Sequence, residues 1–116
     1  AGAGGGAMRK RVAARTRHER AKKAGIASMG GYDAQLARQG GGCAICGAPP
    51  KARRLHIDHE HALVGGRVRG LLCWTCNATL GRAKDDKFRL RVAAAYIDLG
   101  WEVAVLLQKI IRERGW

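Results

Sequence analysis

Two Cys-x₂-Cys pairs constrain this 116-residue chain more than any other feature of its sequence. The pairs are Cys43 with Cys46 and Cys73 with Cys76, and 26 residues separate them. Four soft thiolates at this spacing are typical of two zinc knuckles that share one tetrahedral Zn²⁺ ion and leave no open coordination position. We therefore predict a structural zinc site, which would stabilise a chain too short to bury a large core.

Disulfides and a redox-active Cys-x-x-Cys motif are the two other interpretations of these pairs. Disulfides are typical of secreted scaffolds, and a redox motif explains neither the second copy nor the lack of an evident βαβ pattern. A Cys₂His₂ finger using His56 and His61 would leave Cys73 and Cys76 unused. Zinc bound by all four cysteines remains the preferred interpretation.

The charge of the chain indicates a polyanionic partner. Lys and Arg number 22 against 9 Asp and Glu, which gives a formal net charge of +13. DNA, RNA and an anionic membrane surface are all compatible with that charge. Since no apolar run approaches the roughly 20 residues needed to cross a bilayer, and no leader-like segment opens the chain, we expect a cytoplasmic protein with no membrane insertion.

The chain is predicted to contain one domain behind a basic segment. Residues 1–7 are only Gly and Ala, directly before Met8, and are interpreted as an expression remnant. Residues 8–27 are assigned to a basic arm or helix, because Met8–Ala24 carry many Lys and Arg without an apolar stripe, and we expect that stretch to lie outside the core. Residues 28–116 are assigned to a single zinc-containing domain.

Periodicity and turn residues predict a helical and hairpin pattern in that domain. The predicted elements are a short helix around Tyr32–Ala37, strands over Arg53–Asp58 and Arg67–Leu72, a helix from the cap Asp85-Asp86 to Leu99, and a terminal amphipathic helix over Trp101–Arg114. Trp74 and Trp101 are interpreted as packing residues, and His18 as incidental.

The segment His56–His61 holds three imidazoles and two carboxylates in six residues, a density that core packing does not explain. An extended strand would present them on two faces, one with His56, Asp58 and Glu60 and the other with Ile57, His59 and His61. Hydrolysis of a phosphodiester needs a base, hard oxygen ligands for Mg²⁺ and cationic neighbours. Asp58, His59 and the nearby arginines supply each of these.

Three blocks of the sequence resemble the phage recombination endonuclease VII family, which belongs to the His-Me finger (ββα-metal, HNH-like) nucleases. The blocks are Cys43-Ala-Ile-Cys46-Gly, His56-Ile-Asp-His-Glu-His61 and Val68-Arg-Gly-Leu-Leu-Cys-Trp-Thr-Cys-Asn77. The resemblance implies an α+β fold with a zinc-stapled ββα-metal core and flanking helices. The core would cover residues 39–81 and the carboxy-terminal helices residues 85–114.

The same resemblance implies a Mg²⁺-dependent DNA endonuclease that leaves 5′-phosphate and 3′-hydroxyl ends. Asp58 and Asn77 would ligate a catalytic Mg²⁺ or Mn²⁺ ion, and His59 would be the general base. His56 and His61 would orient the scissile phosphate or support the base. The four cysteines would hold structural Zn²⁺.

Four arginines near the predicted site are expected to contact DNA phosphates: Arg53, Arg54, Arg67 and Arg69. Leu80 stands where some relatives carry an acidic residue, which puts a third carboxylate near the metal in doubt. The resemblance also points to a phage gene product acting in the host cytoplasm, and cleavage of both strands would need a homodimer or two visits.

A non-catalytic zinc-containing module that binds nucleic acid by charge is the alternative function. The four cysteines and the basic arm would be sufficient for it. It leaves Asp58, His59 and Asn77 without a role, whereas the endonuclease interpretation uses all three.

Overall fold

A computed structural model describes residues 17–60 and 67–114 of the chain. Residues 1–7, residues 8–16 of the predicted arm, and His61 lie outside the described residues. The architecture is α+β, as predicted, and the chain divides into two compact units between Asn77 and Ala78. The assignment of residues 28–116 to one domain stays a prediction.

The described elements are five helices and two strands, in chain order: α1 (residues 17–28), α2 (Tyr32–Arg38), β1 (His56–His59), β2 (Val68–Leu72), α3 (Trp74–Arg82), α4 (Lys87–Leu99) and α5 (Trp101–Arg114). Within the described ranges, no helix combines the length and the apolar character needed to span a lipid bilayer.

Strands β1 and β2 pair in an antiparallel manner and confirm the predicted hairpin. Strand β1 begins at His56, three residues later than predicted. The reason lies at Leu55, whose backbone N–H donates to the Tyr32 hydroxyl at 2.7 Å instead of joining a ladder. A side chain of α2 therefore uses the backbone donor that an earlier strand start would need.

A β-bulge interrupts the hairpin at Arg69. Asp58 lies opposite Gly70 and His59 lies opposite Val68, so Arg69 is the extra residue of β2 at this point of the ladder. Bulges change the direction of side chains and are frequent beside active sites. Asp58 and His59 are both buried next to the bulge, and the predicted alternation of faces along β1 stays a prediction.

The core of the first unit joins α1 to the hairpin through the buried residues Ile26, Leu55, Val68 and Leu71. Ile26 lies just after the Lys- and Arg-rich stretch Met8–Ala24, so the segment assigned to a basic arm or helix contributes one side chain to the core. A single apolar residue among charges leaves no stripe in the sequence, which is why periodicity did not identify it.

Gln39, directly after α2, completes the free edge of β2. Its side-chain oxygen accepts from the Leu71 N–H at 2.9 Å, and its amide nitrogen donates to the Leu71 carbonyl at 2.9 Å. This carboxamide takes the place of a neighbouring strand at one position. The N–H and the carbonyl of Leu71 are therefore hydrogen-bonded without a third strand.

The second unit contains the helices α4 and α5. Asp86 caps α4 by accepting from the Phe88 and Arg89 N–H groups at 3.0 and 3.1 Å, and Gly100, with φ 95°, separates the two helices. Both features were predicted from the sequence. Ala104 is the buried residue of α5.

Both tryptophans that were assigned to packing are mostly exposed, so that interpretation is wrong. Trp74 is 65% exposed in the first turn of α3, and Trp101 is 64% exposed at the start of α5. Other large apolar side chains of the second unit are exposed as well, namely Tyr96, Ile97, Leu99 and Leu106.

Candidate active site and metal centre

The four cysteines come together in the first unit. Cys43 and Cys46 lie in the turn before the hairpin, and Cys73 and Cys76 lie at the start of α3. One ligand atom from each, the Sγ, lies within 4.8 Å of the other three. The hairpin therefore connects two Cys pairs that meet in space, as the spacing predicted.

The geometry of this cluster suits zinc. Zn–S bonds of about 2.3 Å place tetrahedral sulfur atoms roughly 3.8 Å apart. The Sγ atoms of Cys46 and Cys73 lie 3.7 Å apart. Four sulfur ligands around one centre also form the closed donor set of structural zinc sites. The cluster therefore fits a structural Zn²⁺ ion.

Backbone amides prepare the cluster for thiolates. The N–H groups of Ile45 and Cys76 each donate to a sulfur two or three residues earlier, Cys43 and Cys73, at 3.4 Å. Burial opposes ionisation of Cys43, but hydrogen bonds from the backbones of Cys46, Cys73 and Ile45 outweigh it and lower the pKa to about 6. One thiolate is thus stabilised by the protein alone.

The Cys76 thiol resists ionisation once Cys43 carries a charge. Burial, hydrogen bonding to the neighbouring cysteines and repulsion from the Cys43 thiolate raise the pKa of Cys76 to about 12. Four adjacent thiolates need a cation among them, because like charges at this separation disfavour one another. A divalent ion supplies that charge when it binds.

Asp58 and His59 form the buried part of β1. Asp58 is 7% exposed and His59 is 6% exposed. The Asp58 carboxylate accepts from Arg69 Nε at 2.7 Å and from a terminal guanidinium nitrogen at 3.1 Å. The partner of Asp58 in this two-point contact is the bulge residue of β2.

The other predicted histidines and the asparagine occupy different positions around this strand. His56 is exposed at the start of β1, and His61 lies outside the described residues. Asn77 is half-buried in the first turn of α3, where its N–H donates to the Cys73 carbonyl at 3.0 Å. Joint ligation of one ion by Asp58 and Asn77 stays a prediction.

The donor chemistry of these two residues fits a divalent cation. A carboxylate and an amide oxygen are ligands that Mg²⁺ accepts while it keeps several waters. Because both Asp58 oxygens accept from Arg69, an ion at this carboxylate would share it with the guanidinium or displace it. Arg69 therefore belongs to the candidate site in a role that the sequence did not reveal.

His18 of α1 is a second residue that the sequence did not assign to the site. Its ring centroid lies 5.6 Å from that of His59, with the planes tilted by 53°. The contact joins residues 41 positions apart in the chain. Since it depends on how α1 packs against the hairpin, no local pattern could have predicted it.

The four predicted DNA-contacting arginines have different surroundings. Arg53 is exposed, and Arg54 lies over the Tyr32 ring at 4.2 Å. Arg67 reaches Glu60 at 3.7 Å at the end of the hairpin where the chain connects β1 to β2, and Arg69 contacts Asp58. Contact of any of them with phosphate stays a prediction.

Comparison with known families identifies the chain. Residues 16–99, well over half of the sequence, match the family described as recombination endonuclease VII. The chain belongs to this family. The matched range of the recombination endonuclease VII family includes all four cysteines, the Asp58–His59 strand and Asn77. The family resemblance predicted from three short blocks is therefore confirmed.

Two relatives from phages carry the name Gene 59 protein. One, from Mycobacterium phage L5, is 55% identical over 49 residues, which cover 40% of this chain and 29% of the relative. The other, from Mycobacterium phage D29, is 43% identical over 74 residues, which cover 62% and 44% of the two chains. The chain thus spans less than half the length of these relatives. No solved structure matches it.

Proposed function

We propose that this member of the recombination endonuclease VII family is a Mg²⁺- or Mn²⁺-dependent DNA endonuclease with a His-Me finger core. The observation that carries the proposal is the bulged hairpin, in which Asp58 and His59 are adjacent and both buried. A carboxylate beside an imidazole supplies a metal ligand and a base from neighbouring residues. Family membership and the net charge of +13 support DNA as the substrate.

The proposed reaction assigns one role to each group. Asp58 and Asn77 hold the divalent ion, which when bound stabilises negative charge on the phosphate and the leaving oxygen. Neutral His59 accepts a proton from the attacking water. His56 and His61 orient the phosphate or support the base. Attack at phosphorus with departure of the 3′ oxygen leaves 5′-phosphate and 3′-hydroxyl ends.

The zinc cluster has a structural role in this proposal. Zn²⁺ bound by the four cysteines joins the turn before β1 to the start of α3. It would therefore fix the segments on both sides of the hairpin. One of them leads into β1, which carries Asp58, and the other is the start of α3, which carries Asn77. Zinc would remain bound through the reaction, because a four-sulfur set leaves no position for substrate.

Cleavage of both DNA strands requires two visits by one chain or pairing of two chains. We include a homodimer in the proposal, supported by the exposed apolar side chains of the second unit, among them Ile97, Leu99 and Leu106. Light scattering of the purified chain tests this part. A phage-encoded protein acting in the host cytoplasm is the corresponding setting.

Nicking of supercoiled plasmid tests the proposed activity. The zinc-loaded protein is incubated with Mg²⁺, with Mn²⁺ and with no added divalent ion, and nicked and linear forms are followed by gel. We expect cutting only with the ion, and at least a roughly hundredfold loss in His59→Ala, the usual contribution of a positioned base. Asp98→Ala, an exposed acid of α4, is the control and should cut normally.

Two outcomes would contradict the proposal. Undiminished cutting by His59→Ala would remove the assigned base. A wild-type protein that retards DNA on a gel but never nicks it would support the alternative, a non-catalytic zinc-containing module that binds nucleic acid through its charge. That module should also tolerate Asp58→Ala and Asn77→Ala with little change in DNA affinity.

A further inference from the structure

A cavity of about 680 Å³ lies in the first unit, beside the cysteine cluster and the start of β1. Its lining includes Cys46, Cys73 and Cys76 of the cysteine cluster. Lys51 and Arg53 from the loop before β1 and His56 at the start of β1 also line it. Trp74, in the first turn of α3, is a further lining residue. The proposed reaction uses only His56 from this set.

Trp74 is exposed at a position that the metal centre would hold rigidly. It lies between the zinc-binding positions Cys73 and Cys76, so its backbone is fixed on both sides when the ion binds. Its side chain nevertheless contributes little to the core, because the residue is 65% exposed. A rigidly mounted, exposed indole is a suitable surface for stacking one nucleobase.

Two cations without acidic partners line the same cavity as the indole. Lys51 and Arg53 are exposed, and neither forms an ion pair with any acid in residues 17–60 and 67–114. Arg54 also lines the cavity, where it packs on Tyr32 and lies 4.0 Å from Asp33. Among the described residues that line the cavity, none is acidic.

The zinc centre lowers the net charge of the cavity but leaves its cations in place. A Zn²⁺ ion with four thiolates carries two net negative charges, which Lys51 and Arg53 balance, while Arg54 is offset by Asp33 at 4.0 Å. Lys51 and Arg53 stay exposed in the lining, so a phosphate group can contact them in the same cavity that the indole lines.

We propose that this cavity binds one unpaired nucleotide of DNA, with its base stacked on Trp74 and its phosphate against Lys51 and Arg53. The size is appropriate, since pockets for small molecules measure about 300–1,000 Å³. The nucleotide must be unpaired, because in a duplex both faces of a base are covered by its neighbours. The proposal rests on the proposed endonuclease function and adds to it a nucleotide-binding site whose lining includes neither Asp58 nor His59.

Matched tryptophan variants test the proposal. The zinc-loaded chain, with no added Mg²⁺, is titrated into fluorescein-labelled oligo(dT) and into a blunt duplex of equal length, and fluorescence anisotropy is recorded. Trp74→Ala should weaken oligo(dT) binding by roughly five- to a hundredfold, the effect of losing one base stack, and should change duplex binding less than about twofold. Trp74→Phe should retain most of the affinity. Trp101→Ala, which removes an equally exposed indole from the second unit, should change neither affinity.

Two further measurements separate stacking from charge. A 2-aminopurine placed at an unpaired position should lose fluorescence on binding the wild type but not Trp74→Ala. The double variant Lys51→Gln, Arg53→Gln should reduce the slope of log affinity against log salt for oligo(dT) by roughly one to two. Zinc content equal to that of the wild type would establish that each variant is folded around its metal centre.

The proposal is overturned if Trp74→Ala affects oligo(dT) no more than Trp101→Ala does, or if it weakens both DNA forms equally. Equal competition by a polyglutamate peptide would also overturn it, because the cavity would then bind anions in general. Failure of plasmid nicking with an intact Trp74 effect would remove the endonuclease proposal and leave the nucleotide site. Normal nicking without a Trp74 effect would remove only the nucleotide site.

Discussion

Asp58 and Arg69 show how one residue contact can serve both stability and chemistry. The Asp58 side chain is 8% exposed and accepts two hydrogen bonds from a guanidinium that is 34% exposed. A buried carboxylate without such a partner is strongly unfavourable. The proposed divalent ion would bind the same oxygen atoms. It would therefore share the Asp58 carboxylate with Arg69 or displace the guanidinium.

Replacement of Arg69 tests this relation. We expect Arg69→Ala to lower the free energy of unfolding by roughly 2–4 kcal/mol without divalent ions, because it leaves Asp58 buried and unpaired. Added Mg²⁺ should then raise the melting temperature of the variant more than that of the wild type. Thermal denaturation followed by circular dichroism measures both effects.

Arg67→Ala is the control for this experiment. Its guanidinium lies 3.7 Å from Glu60 in a side chain that is 84% exposed, and such surface pairs contribute less than about 1 kcal/mol. Equal destabilisation by the two variants, or equal stabilisation of both by Mg²⁺, would contradict the assignment of Arg69.

The contact between α1 and β2 is the feature that matters at the scale of elements. Ile26 of α1 packs in the core with Val68 of β2, and Gly25 permits the close approach. A Cβ atom added at Gly25 would overlap Val68 Cγ2. The same approach of α1 to the hairpin accompanies the contact of His18 with His59.

A single methyl group at position 25 should separate these elements. Alanine normally stabilises a helix relative to glycine by roughly 0.5–1 kcal/mol, but in Gly25→Ala the overlap with the buried Val68 should reverse the sign. Gly81→Ala in α3 is the matched control, because no atom lies within 4 Å of its added Cβ. Urea denaturation should show a lower midpoint for Gly25→Ala and an equal or higher midpoint for Gly81→Ala. A stabilised Gly25→Ala would mean that α1 does not pack closely on β2.

At the scale of the whole molecule, a strongly basic chain is organised around few buried residues. Among residues 17–60 and 67–77, the core cluster contains four buried side chains, and the largest fully buried one is Leu71. So small a core contributes limited hydrophobic stabilisation. The cysteine cluster joins the ends of the hairpin, where a bound metal adds binding free energy to folding.

Loss of zinc should therefore unfold the first unit. We expect about one Zn²⁺ per chain by native mass spectrometry, and none in Cys43→Ser, which should also lose its cooperative thermal transition. Ile45→Ser is the control. Residue 45 lies between the ligands and is 58% exposed, and its backbone N–H still reaches the Cys43 sulfur. A metal-free Cys43→Ser protein with an unchanged transition would show that the core is sufficient without the ion.

The parts of the molecule that the sequence predicted are those with local signals. The spacing of the cysteines, the cap at Asp86 and the stop at Gly100 each act within a few residues, and the structure contains all three features. The bulge at Arg69, the burial of Ile26 and the contact of His18 with His59 depend on packing between distant segments. No periodic pattern records such packing, so these features required the three-dimensional structure.

The bulge also determines whether the Asp58–His59 strand could be transplanted. A regular hairpin that received only the letters His-Ile-Asp-His would have no extra residue opposite them, and so no position for the guanidinium that Asp58 accepts from. A faithful graft needs the extra residue of the opposing strand, here Arg69. Conversely, deletion of position 69 would restore regular pairing and remove the cation beside Asp58, although Asp58 and His59 both remain in the sequence.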